Sequence, residues 1–187
     1  MADPLFKVGV LGATGYIGAP YRAEIRECGE ASIVALCARR EELLAKAAEE
    51  DGAQLATQNW REVVEHPEVN FVIVGTPDAL HHEAVLACAA QGKHLLCEKP
   101  VGMNAGEAEE MWKLYRNASP TLAHYVPFWT RMVRVFGIAR EIVAAGELGE
   151  IVSTVFLWLY PRPESMSLPC RHALTPSSAG PNPSAPP

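Results

Sequence analysis

The stretch Phe6-Lys7-Val8-Gly9-Val10-Leu11-Gly12-Ala13-Thr14-Gly15-Tyr16-Ile17-Gly18 decides the fold. Its first six residues make an apolar, Val-rich run that does not alternate polar and apolar positions cleanly. That is the pattern of a strand covered on both faces. Glycines then follow, leading into a helical stretch. A glycine at the turn lets the chain reverse, a second position without a side chain lets backbone approach a diphosphate, and a third permits close helix–strand packing. A helix opening near Tyr16 offers its free N–H groups and positive dipole end to an anion. Pro20 falls about one turn in, where few N–H partners are lost. With a strand before it and a helix after it, the loop reads as a nucleotide cradle whose candidate contacts are Gly12, Thr14, Gly15, Tyr16, Ile17 and Gly18. The spacing Gly-x-x-Gly-x-x-Gly is one residue away from Gly-x-Gly-x-x-Gly, which leaves open which glycine meets which phosphate. No Gly-Lys-Ser/Thr follows Gly18, so a Walker A loop is excluded.

The same strand-then-helix pattern continues outward. Ser32-Ile33-Val34-Ala35-Leu36-Cys37, Phe71-Val72-Ile73-Val74-Gly75 and His94-Leu95-Leu96-Cys97 are further apolar runs. Between them, residues 40–51 are rich in Glu, Ala and Leu, and Gly52 supplies a left-handed stop. Asp78 is expected to cap a helix running to Gln91, with Gly92 after it. Asn104 and Glu107 have capping-box spacing ahead of Met111, Leu114 and Tyr115. A later helix carries Val135, Ala139, Ile142 and Val143 on one face and ends at Gly146. Strands alternating with helices point to an α/β fold with a doubly wound parallel sheet of Rossmann type.

The remaining chain differs. Residues 151–160, Ile-Val-Ser-Thr-Val-Phe-Leu-Trp-Leu-Tyr, read as a long β-branched and aromatic strand. No further strand signal follows to pair with it, so its edge is a candidate route to a homo- or hetero-oligomer. Residues 161–187 hold eight of the fifteen prolines and no Phe, Trp or Tyr, and are expected to form a disordered tail. The expected organisation is a dinucleotide-binding domain over 1–125, a crossover helix and first strand of a truncated second domain over 126–160, and the tail.

Composition narrows the functional classes. The chain has 187 residues, 49% of them hydrophobic and 20% charged, as in an ordinary globular protein. Its 16 Lys and Arg against 22 Asp and Glu give a net charge of −6, which argues against a nucleic-acid or anionic-membrane partner. No apolar run approaches the roughly 20 residues that span a bilayer. The start Met1-Ala2-Asp3-Pro4 does not resemble a signal peptide. Five cysteines without a Cys-x-x-Cys pair argue for a reducing, cytoplasmic setting. No Cys/His grouping has metal-ligand spacing, so no metal site is expected.

The end of the second strand bears on the cofactor. An acidic residue there would bind the ribose 2′-hydroxyl of NAD; here the sequence is Cys37-Ala38-Arg39-Arg40. A guanidinium binds a 2′-phosphate in bidentate fashion and stacks on adenine, so Ala38, Arg39 and Arg40 point to NADP. Both arginines can equally be solvated residues opening a helix, and Glu41 or Glu42 can reach a ribose, which keeps NAD open.

Two more motifs carry a resemblance. Gly75-Thr76-Pro77-Asp78-Ala79-Leu80-His81-His82 follows one strand and Cys97-Glu98-Lys99-Pro100 the next. With the glycine loop and Gly92-Lys93-His94, these resemble the glucose–fructose oxidoreductase and inositol dehydrogenase family (Gfo/Idh/MocA). Pro127-Phe128-Trp129-Thr130-Arg131 through Gly146-Glu147-Leu148-Gly149-Glu150-Ile151 is similar to that family's crossover into its second domain. The resemblance implies an oxidoreductase moving hydride between NADP and a sugar, polyol or related hydroxyl compound. It implies that Lys99 reaches the nicotinamide ribose and the substrate hydroxyl as the catalytic group, and that Glu98 orients it or contacts the ribose. It also implies that Pro100 fixes the turn, as a cis peptide. Thr76, Pro77 and His81 fall at the family's cofactor-turn positions, with His82 an adjacent alternative to His81. Thr76, Pro77, Glu98, Lys99 and Pro100 all lie just past strand ends, where ligands of an open parallel sheet bind.

The chain departs from the family in one respect. Family members continue into a large sheet domain carrying an Asp-x-x-x-His motif, and no Asp follows residue 78 here. Absence of that domain is expected to impair turnover, because orientation and exclusion of water supply much of the rate. The alternative expectation is a non-catalytic nucleotide-binding or heterodimerising fragment. A short-chain dehydrogenase is discarded, since no tyrosine has a lysine four residues later.

Overall fold

The structure, a computed structural model, describes residues 5–155 and residue 157. The strands are β1 (Phe6–Leu11), β2 (Ala31–Cys37), β3 (Leu55–Thr57), β4 (Phe71–Val74), β5 (His94–Cys97) and β6 (His124–Tyr125). They pair in parallel in the order β3-β2-β1-β4-β5-β6. The helices are α1 (Gly18–Glu27), α2 (Glu41–Asp51), α3 (Trp60–Glu65), α4 (His81–Ala90), α5 (Ala105–Ala118) and α6 (Arg134–Ala144). This is the Rossmann-type sheet that the apolar runs imply.

Alternate positions of β1, β4 and β5 feed opposite cores, which explains the lack of polar–apolar alternation. Val8, Val10, Ile33, Leu36 and Ile73 face one layer, with Leu44 and Ala47 of α2 and with Tyr21 and Ile25 of α1 packed on them. Leu11, Val34, Val72, Val74 and Leu95 face the other, against Val63 of α3, Val85 and Cys88 of α4, and Met111 and Tyr115 of α5. Each fully buried Val or Leu contributes about 1.5–3 kcal/mol of transfer free energy. Gly9 belongs to this second face by omission: a Cβ there would stand 2.6 Å from Val63 Cγ1, so the helix side chain occupies the space that the strand leaves open. At that same step the β1–β2 register shifts, between Val8 and Gly9.

Helix ends follow the sequence signals in most places. Gly52 (φ 64°) and Gly92 (φ 63°) take the left-handed conformation after α2 and α4. Asn104 Oδ1 accepts from the Glu107 N–H at 3.0 Å, and Glu107 returns bonds to the Asn104 amide and the Met103 N–H. The C-terminal turn of α2 is tied to α1 by a carboxylate: Asp51, whose side chain is fully buried, accepts from both Arg22 and Arg26.

Several expectations are corrected. Helix α1 opens at Gly18, with Ile17 as its cap, rather than near Tyr16. Asp78 does not cap α4; it starts a short 3₁₀ turn over Asp78–Leu80, and α4 begins at His81. Strand β3 and helix α3 carry no periodic signal because they are only three and six residues long. Residues 151–155 and 157 have no strand structure, and Val152, Val155 and Leu157 are exposed. A β-branched sequence becomes a strand only when a neighbour completes its ladder, and no described strand pairs there. The other residues of 151–160, and the tail expected over 161–187, lie outside the described residues. The chain divides into two units, Met1–Arg140 and Glu141–Pro187. The boundary expected at 125/126 falls where β6 ends, whereas the first unit continues through the 3₁₀ turn Trp129–Met132 into α6. Among the described residues, no helix is long and apolar enough to cross a membrane.

Candidate functional site

Strand order reverses at β1, with β2 to one side and β4 to the other, so a crevice opens at their carboxyl ends. The loop after β1 is anchored there by backbone. The N–H groups of Gly12 and Ala13 both donate to Cys37 O, at 2.9 and 3.0 Å, and Gly75 N–H donates to Leu11 O at 2.9 Å. Gly12 has φ 80°, and a Cβ on it would stand 2.4 Å from Gly75 O. Gly18 packs beneath, where a Cβ would come within 2.2 Å of Gly12 O. The outer two glycines therefore make the tight turn and the close packing. Gly15, whose N–H returns to Gly12 O at 2.9 Å, is left to present bare backbone to a ligand. Ile17 supplies no side-chain cap; in the first turn of α1 the Ala19 N–H bonds Gly15 O at 3.1 Å and Pro20 has no N–H, which leaves the Gly18 N–H as that turn's candidate donor to the crevice.

The crevice is a cleft of about 520 Å³. Gly12, Thr14, Gly15, Tyr16 and Ile17 line it from the loop, Ala38, Arg39 and Arg40 from the end of β2, and Thr76 and Pro77 from the end of β4. Cys37, Gln58, Trp60, Gly75 and Leu80 complete the wall. Gln58 and Trp60 follow β3, so reading that strand in the sequence would have located them. Arg39 and Arg40 are exposed at the rim, and among the described residues no ion pair holds either one. Burial, and then the Glu62 charge, push the Cys37 thiol up to about 11, so it is neutral in the cleft wall at physiological pH. Thr76 Oγ1 is buried without a hydrogen-bond partner among the described residues. A glycine loop that brings bare backbone to the cleft at Gly15 and an orphaned hydroxyl in the cleft wall both fit a phosphorylated, polar ligand such as a dinucleotide.

The remaining expected residues lie outside that lining. His81 is fully buried; its Nδ1 lies 2.9 Å from Pro100 O and its Nε2 2.9 Å from Thr76 O. It joins the turn after β4 to the turn after β5 from below. Glu98 borders a second recess of about 390 Å³, with Ile17 common to both walls. It is 8% exposed, and its two oxygens accept from Tyr21 Oη at 2.6 Å and from the Lys99 N–H at 3.1 Å. Burial first, and then the bond to Glu98, hold the Tyr21 phenol above its ordinary range. Lys99 projects from this turn into solvent, and the Lys99–Pro100 peptide is cis. His124 packs its ring on Tyr115, with centroids 5.3 Å apart.

A parallel sheet that reverses order at a glycine cradle, with an uncapped helix start aimed into the crevice, defines a dinucleotide-binding Rossmann domain. The family model described as oxidoreductase family, NAD-binding Rossmann fold (Gfo/Idh/MocA) matches residues 6–125, and the chain belongs to that family. It is 32% identical over 112 residues to levoglucosan dehydrogenase of Pseudarthrobacter phenanthrenivorans, covering 60% of this chain and 28% of that protein. It is 31% identical over 144 residues to myo-inositol 2-dehydrogenase of Thermotoga maritima, covering 77% of this chain and 42% of that one. The solved oxidoreductase domain protein from Kribbella flavida superposes with a TM-score of 0.70 at 30% identity, over 79% of this chain and 41% of that one. The chain thus spans well under half the length of the relatives it matches.

Proposed function

We propose that the domain binds NADP(H) and serves a hydride transfer to or from a ring alcohol of the sugar or polyol class, with Lys99 as its catalytic residue. The observation that carries this reading is a shared wall. Ile17 lines both the cleft at the glycine loop and the recess beside Glu98, and Lys99 follows Glu98 in the turn after β5. The dinucleotide, when bound, supplies the hydride donor or acceptor. The chain's own groups would do the rest. The N–H groups of the loop and of Gly18 would hold the diphosphate, and Gly15 would let it approach. The guanidinium groups of Arg39 and Arg40 bind the 2′-phosphate, a task for which a planar fork suits better than an ammonium. The Thr76 hydroxyl hydrogen-bonds along the cofactor. In the oxidation direction the unprotonated Lys99 amine would accept the substrate hydroxyl proton as the C–H bond gives up hydride, and in the reverse direction the ammonium would return a proton to the carbonyl oxygen. The levoglucosan and inositol relatives support a ring alcohol as substrate.

Titration of NADPH and NADH onto the protein, followed by assay of ring-alcohol oxidation, tests this reading. Lys99→Ala should leave the NADPH Kd within about twofold while lowering transfer by about 10²–10⁴, the usual worth of a general acid–base. Equal turnover by the variant would remove Lys99 from the reaction. A second reading, cofactor binding without turnover, is favoured by one observation: Lys99 lines neither the cleft nor the recess beside Glu98. Tight NADPH binding with no transfer to any ring alcohol would select it.

A further inference from the structure

We propose that Tyr21, on the first helix, is a positioning residue for Lys99, acting through Glu98. This deepens the proposed function, since it rests on Lys99 being the reacting group. The geometry is a short relay. The Tyr21 hydroxyl donates to one oxygen of Glu98 at 2.6 Å, and the other oxygen accepts the backbone N–H of Lys99 at 3.1 Å. Glu98 is 8% exposed, so both contacts are made largely out of water, where a bond to a carboxylate is worth more than at the surface. A carboxylate binding the amide of the very next residue fixes the Glu98–Lys99 peptide plane and so the place from which the Lys99 side chain leaves the backbone. Glu98 alone can rotate about its side-chain torsions; the Tyr21 bond fixes it in the orientation that meets the Lys99 N–H.

The far end of the relay is equally informative. Tyr21 is the fourth residue of α1, and the helix start beneath the glycine cradle is what would grip the diphosphate. The dinucleotide-binding helix and the turn bearing Lys99 are therefore joined by one side-chain bond across the sheet. A phenol held above its ordinary range stays protonated and so remains a donor to Glu98. On the opposite side of the turn, His81 contacts Pro100 O, so the Lys99–Pro100 segment is held from two directions while the Lys99 side chain itself is free to project.

Tyr21→Phe removes one oxygen and keeps the ring, which makes it the decisive variant. Amide hydrogen exchange is read at Lys99 and, as an internal control for general destabilisation, at Val10 in the middle of β1. The expected result is that Lys99 exchange accelerates about tenfold relative to Val10, the loss expected for a hydrogen bond to a charged group. The NADPH Kd should stay within about twofold, because the cradle does not include the hydroxyl. Saturating NADPH should also shield Lys99 from acylation in the parent chain and shield it less in the variant. Exchange at Lys99 that does not change, or that rises only in step with Val10, overturns the proposal, as does full shielding in the variant. Failure of the functional reading looks different: NADPH then leaves Lys99 unshielded in the parent chain, while the exchange comparison still decides the role of Tyr21. Glu98→Gln serves as a second variant, since a neutral amide weakens both bonds and should accelerate Lys99 exchange in the same direction.

Discussion

Arg39 and Arg40 illustrate how far single residues can be read. The two guanidinium groups stand at the rim of the cleft without ion-pair partners among the described residues, beside the wall formed by Ala38. Replacing both with Ala should raise the NADPH Kd by about tenfold or more and leave the NADH Kd within about twofold, because the lost bonds are charge-assisted and specific to a phosphate. Fluorescence titration of both nucleotides on the double variant checks it; an unchanged ratio removes the case for the phosphorylated form. These arginines were legible in the sequence because their position follows from counting beyond a glycine loop. His81 was legible as a motif member but not in its placement. Nothing in Thr-Pro-x-x-x-His says that both ring nitrogens meet backbone carbonyls below the cleft, since that depends on how the turns after β4 and β5 approach each other. Tyr21 gave no sequence signal, because its partner Glu98 lies far along the chain and on the other side of β1.

Among the elements, the glycine loop and the helix stops make contrasting cases. Gly12→Ala forces a Cβ to within 2.4 Å of Gly75 O at a positive φ, so the loop or the turn after β4 must move. Dinucleotide binding should fall by at least about thirtyfold, with a stability loss of about 1–3 kcal/mol. Gly52→Ala meets no neighbour within 4 Å and is strained only by its φ of 64°. It should cost about 1 kcal/mol and leave binding intact. Urea unfolding and NADPH titration on the pair separate the two roles; equal binding by both variants would refute the cradle. Strands β1, β2, β4 and β5 were readable from their Val- and Leu-rich runs because each is covered on both faces. Strand β3 was not, since three residues are too few to show a period, and with it went Gln58 and Trp60 of the cleft. The reverse happened at residues 151–155 and 157, where composition alone suggested a strand and none forms, because pairing, not propensity, makes one.

For the molecule as a whole, one of the two cores imposes a pH limit. Burial is the largest cause that pushes Cys37 up to about 11, and Cys88 and Cys97 to about 12. The native state keeps these protons while the unfolded chain releases them near the ordinary thiol value of 9.0. Unfolding free energy is therefore at its full value below that pH and falls as pH rises through the native values. The slope is at most about 1.4 kcal/mol per pH unit for each thiol. Urea unfolding at neutral pH and at about pH 10 should show the decline, and Cys37→Ala should make it shallower; stability unchanged by alkali would contradict it. The missing Cβ of Gly9 has a consequence of another kind. Because Val63 Cγ1 fills that space, the two positions form a single volume shared between strand and helix. In a combinatorial library randomised at both sites, survivors carrying Ala at position 9 should be those that have shed bulk at position 63, and the paired trade would be visible in sequencing counts alone.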